Sequence, residues 1–74
     1  RSNERGTAAA YDINLQMAQR LHARGELRPG MSAATAADIM FTLTSPGVFQ
    51  VLRRTRRWGQ QRYQDWVIAS ATQQ

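Results

Sequence analysis

The chain is expected to be all-helical, on three observations. Apolar residues recur at steps of three and four, and no stretch alternates apolar and polar residues as a half-buried strand does. Gly25, Pro29, Gly30, Pro46 and Gly59 punctuate these periodic stretches at intervals suited to short helices. Four helices follow.

The first is expected over residues 7–24, with Tyr11, Leu15, Ala18 and Leu21 on an apolar stripe and Asp12, Gln16, Gln19 and Arg20 on a polar one. Gly25 can take the left-handed conformation that ends many helices, and Pro29 cannot continue one, so residues 26–31 read as a connector. Ser32 is placed to cap a second helix running to Thr44. Its interior, Ala36 to Leu43, is apolar on almost every side, which puts it at the centre of the structure. Ser45-Pro46 reads as a cap followed by proline at the first helical position, opening a third helix over residues 46–54 that buries Val48, Val51 and Leu52 with Phe49 beside them. A single long helix kinked at Pro46 is the alternative; the serine before the proline favours the break. Trp58-Gly59 marks the next turn, and a fourth helix starts at Gln60 with Tyr63, Trp66 and Val67 on one face.

Length limits the chain to one domain, residues 1–74, and a chain this short buries only about 60 % of its unfolded surface. Disulfides, a metal or association usually compensate for such a core. There is no cysteine and a single histidine, so association is what remains, and no cofactor is expected. A hydrophobic fraction of 42 % is too high for a disordered tail, and no apolar run reaches the roughly 20 residues of a membrane span. The first residues do not form a signal peptide, which leaves the cytoplasm as the default location. The chain does not begin with methionine and reads as a piece of a longer protein.

Catalysis finds no support. One histidine, no Gly-x-Ser-x-Gly elbow and five scattered carboxylates assemble neither a triad nor an acid–base pair, and the chain is not expected to be an enzyme. His22 falls in the last turn of the first helix, where a cation suits the helix dipole; the three or four ligands of a zinc site are missing. All ten basic residues are arginine, the formal charge is +5, and no acid lies between Asp38 and Asp65. Arg53, Arg54, Arg56, Arg57 and Arg62 occupy that interval, which raises a small nucleic-acid-binding module as an alternative to a solvated helix end. Tyr11, Met17, Met40 and Phe41 are of the residue types that line adaptable ligand pockets, although such a stripe is more often plain core.

Several motifs, taken in order, resemble the C-terminal part of the TetR family of one-component bacterial transcription regulators. They are Ala23-Arg24-Gly25-Glu26-Leu27-Arg28-Pro29-Gly30, Ala36-Ala37-Asp38-Ile39-Met40-Phe41, Leu43-Thr44-Ser45-Pro46, Arg57-Trp58 and Arg62-Tyr63-Gln64-Asp65-Trp66. The resemblance covers the last two thirds of the chain. It implies a homodimer in which two helical elements, the Ala36 to Leu43 run with the helix after Pro46 as the first and the helix from Gln60 onward as the second, pair with their copies in a second chain as a two-fold four-helix bundle, with Val48, Phe49, Leu52, Tyr63, Trp66 and Val67 at the interface. It also implies a pocket for an unknown small-molecule effector, with Tyr11, Met17, Met40 and Phe41 as its candidate residues; Phe41 stands where many of these sequences place an aromatic near the ligand cavity. Operator DNA is implied only for a helix-turn-helix domain, and this chain has nothing that looks like one. Gly59-Gln60-Gln61 also departs from the family's frequent Ser-Pro-Glu before the last helix, losing a serine cap and a first-turn carboxylate.

Overall fold

A computed structural model describes the backbone of residues 2–73 and the side chains of residues 5–73. The described chain is all-helical. Helix α1 spans Ser2–Ala23, α2 Ala33–Leu43, α3 Pro46–Phe49 and α4 Gln60–Thr72; between α3 and α4 a π-helical segment, Gln50–Thr55, continues α3.

Helix α1 starts five residues earlier than its apolar stripe suggests, at Ser2, because Gly6 and the residues before it carry no stop signal strong enough to prevent a helix from growing outward. It ends as expected. Gly25 has φ 70°, the Glu26 N–H donates to the Leu21 carbonyl at 2.9 Å, and the Gly25 N–H to that of His22 at 3.0 Å, which together form a Schellman cap. Gly30, with φ 88° after Pro29, lets Met31 N–H close on the Arg28 carbonyl at 2.9 Å, the pattern of a type II turn. The connector is more than a spacer: Leu27 is buried with the core.

Ser32 caps α2 as its position predicts, its hydroxyl accepting from Thr35 N–H at 3.0 Å. Pro46 breaks the helix. Ser45 stands at the N-cap of α3 with extended backbone, but its hydroxyl makes no capping bond. Beyond Phe49 the backbone widens, and Arg56 N–H reaches back five residues to the Val51 carbonyl at 2.8 Å. The segment then stops on Arg57, whose φ of 57° is left-handed in a residue with a side chain.

Helix α2 is the axis of the molecule, packing against α1 on one side and α4 on the other. Ala18 and Leu21 of α1, Ala36, Ala37 and Met40 of α2, and Tyr63, Val67 and Ala71 of α4 make the core, with Met40 its largest fully buried side chain. The result is a slab of 34 × 31 × 15 Å. Among the described residues, helices α1 and α4 both pack on α2 and do not pack on each other, so the three lie side by side. The radius of gyration, 12.7 Å, exceeds the roughly 11 Å of a compact chain of this length. Helical domains normally bury their apolar stripes by stacking a second layer, and the described residues form none.

Candidate pairing surface and ligand grooves

The single layer decides where apolar side chains can go. Along α4, Tyr63, Val67 and Ala71 point at α2 and are buried. At 100° per residue, Trp66 and Ser70 then fall on one flank of that line and Gln64 and Ile68 on the other. Each flank belongs to a different broad face of the slab.

On the first face Trp66 is the hub. It meets Trp58 edge-on, ring centroids 5.7 Å apart, and lies 6.4 Å from Tyr63. Ile39 and Leu43 of α2 border it on one side, Val48, Val51 and Leu52 on the other. Most of these side chains are half-buried, while Val51 is 52 % exposed. Phe49 is exposed too, with its ring edge-on to Tyr63 at 5.7 Å and the Arg53 guanidinium 5.9 Å above it.

Tyr63 ties this end together. Its hydroxyl donates to the Leu43 carbonyl at 2.7 Å, twenty residues away in sequence. That carbonyl belongs to the last turn of α2, where the helix itself supplies no donor, so Tyr63 caps α2 from α4. Burial pushes the phenol's pKa above its ordinary 10.0, which keeps the donating proton in place.

On the opposite face Ile13 and Met17 of α1 and Ile68 of α4 stand exposed over a floor of Met40, Tyr63 and Val67. They line a groove of about 270 Å³ with the amides of Asn14 and Gln64 at its border. A second hollow of about 400 Å³ lies between the start of α1 and the α2–α3 junction, lined by Gly6, Thr7, Ala10, Phe41, Thr44, Ser45 and Pro46. Tyr11 stands beside Phe41, ring edge to ring at 5.6 Å. Its phenol pKa is raised, first by desolvation and then by the charge of Asp38 and a hydrogen bond to it, with Asp12 adding less.

None of the described hollows is lined by all four ligand candidates. Tyr11 and Phe41 form a pair beside one hollow, whereas Met17 and Met40 belong to the groove; Phe41 is one 100° step from Met40 around α2 and looks elsewhere. Met40 is core first and groove floor second. The six interface candidates divide as well. Tyr63 and Val67 are each only 6 % exposed within the single chain and belong to its own core, while Val48, Phe49, Leu52 and Trp66 reach the surface. Val51, expected to be buried with Val48 and Leu52, is instead exposed, because no second layer of helix covers that side of the segment, and Ile13 and Ile68 join the surface patches without having been singled out. Ile13 and Met17, four apart and off the Tyr11–Leu15 stripe, were the available signal.

The described residues hold no cluster of three histidines or carboxylates able to bind a metal, and none of their helices is long and apolar enough to cross a membrane. Fold and surface together define a small helical chain with two uncovered apolar faces. No protein-family model, curated protein or solved structure matches it.

Proposed function

We propose that the chain is the pairing and effector-sensing part of a TetR-like bacterial transcription regulator, in which α3, its π-helical continuation and α4 associate with their copies in a second chain as a two-fold four-helix bundle. The observation that carries this reading is the open face around Trp66. It joins Val48, Val51 and Leu52 to Ile39 and Leu43 on the elements to which the family resemblance assigns pairing. A two-fold axis through that face would bury the same apolar surface twice and leave both copies closed to further addition. In this reading a cytoplasmic regulator senses a small, largely apolar effector through the groove beneath Ile13, Met17 and Ile68 or the hollow beside Phe41.

Light scattering coupled to size exclusion tests the pairing. The expected mass at micromolar concentration is that of two chains; a folded monomer would refute it. Trp66→Ala is expected to weaken the dimer by about 2–4 kcal/mol, the range of an aromatic interface anchor. An unchanged dissociation constant would assign Trp66 to the intrachain core alone.

A further inference from the structure

The corner that links the π-helical segment to α4 carries five arginines within ten residues, and pairing leaves them unexplained. No described carboxylate forms an ion pair with Arg53, Arg54, Arg56, Arg57 or Arg62; Arg24 and Glu26, 3.1 Å apart, pair at the other connector. The five are not equivalent. Arg53 donates through a guanidinium nitrogen to the Trp58 carbonyl at 2.7 Å, and the Arg62 guanidinium lies 4.1 Å from the centre of the Trp58 ring. These two brace the corner around one tryptophan. Arg54, Arg56 and Arg57 are exposed and make no such contact.

A helix end attracts cations through its dipole, and this accounts for Arg53 and Arg54 in the last turn. It does not account for Arg57. That residue sits at φ 57°, where a side chain is strained, although among the described residues glycine occupies both other positive-φ positions, Gly25 and Gly30. Strain retained in a non-glycine residue points to a use for its side chain. The N–H groups of Arg56 and Trp58 already donate to the carbonyls of Val51 and Leu52, so these two are not free to hold an anion. The full charges of this surface are those of the guanidinium groups.

We propose that Arg54, Arg56 and Arg57 form a sequence-independent contact for the phosphate backbone of a nucleic acid, with Arg53 and Arg62 as positioning residues. Three guanidinium groups within four residues present donor forks matched to phosphate oxygens. The contact is independent of whether the chain pairs.

Fluorescence anisotropy with a labelled DNA duplex, titrated with the whole chain across sodium chloride concentrations, tests it. Three neutralised phosphates predict a log–log salt slope of about −2.7, so that affinity falls about 40-fold between roughly 50 and 200 mM salt. Arg54→Ala, Arg56→Ala and Arg57→Gly should each make the slope shallower by about 0.9, and Arg28→Ala, at the far connector, should leave it unchanged. Arg57→Gly suits its backbone conformation, so its loss of binding cannot be ascribed to misfolding; circular dichroism checks the other variants. Absence of saturable binding at low salt, an equal effect of Arg28→Ala, or equally tight binding of polyglutamate would each overturn the proposal. Light scattering on the same samples reads pairing separately.

Discussion

The contact of α1 with α2 and the end of the molecule where α3 meets α4 solve the same packing problem with opposite materials. At the first, Ala18, Ala36 and Ala37 have no exposed surface at all, so two backbones approach closely and little side-chain entropy is lost. At the second, Phe49, Trp58, Tyr63 and Trp66 meet edge-on or tilted across a widened helical turn, with an arginine stacked on a tryptophan and another in a left-handed conformation. Small residues close their contact completely. Large aromatics fill space but leave rims uncovered, and Val51 and Phe49 stand in water beside them. The difference teaches that the alanine contact is finished within the chain, whereas the aromatic end leaves apolar surface exposed.

Substitutions that strike one region and spare the other sharpen the contrast. The largest effect is expected at Met40, which both regions share: Met40→Ala should cost about 2–5 kcal/mol in urea denaturation, enough to unfold a chain this small. A loss well below 1 kcal/mol would mean that α1 and α4 can collapse into the space and that α2 is not a rigid axis.

Tyr63→Phe comes next. Losing the bond to the Leu43 carbonyl should cost about 1 kcal/mol and act on the α2–α4 contact alone. The same tyrosine predicts a pH limit. Its folded pKa lies above the unfolded value near 10.0, so the stabilisation is fully present below about pH 10 and is lost as pH rises through the folded value. Melting temperature followed from pH 8 to 11 should fall at the alkaline end, and less steeply in Tyr63→Phe; identical profiles would remove Tyr63 from the account.

The smallest effect has the opposite sign. Arg57→Gly should stabilise the chain by about 0.5–1 kcal/mol by relieving the left-handed backbone. A destabilised variant would show that the arginine side chain holds the corner together and that the strain is offset locally.

Much of this architecture is legible in local signals. Ser32, Gly25, Pro29 and Pro46 each act where their own chemistry places them, because caps and breaks depend on one or two neighbouring residues. The apolar run from Ala36 to Leu43 sits at the centre because a helix without a polar side must be covered from several directions. The candidate sites were less legible. Periodicity shows that Tyr63 and Val67 share a face but not whether that face meets α2 or another chain, and the structure places it against α2. Met40 and Phe41 are neighbours in sequence and look into different hollows. The π-helical turn has no local signature here, since it widens the backbone without any proline or glycine inside it.

The sequence by itself determined that the chain is helical, where its helices stop, and which residues are apolar enough to need cover. Those properties follow from backbone sterics and side-chain type, and they act over a few residues. Only the tertiary structure decided that the helices form one layer, that Tyr63 caps a helix twenty residues away, and that Trp66 and Ile68 emerge on opposite faces. These depend on how far apart the axes sit and how each helix is rotated about its own, quantities set by the packing of Ala18, Ala36, Ala37 and Met40 together.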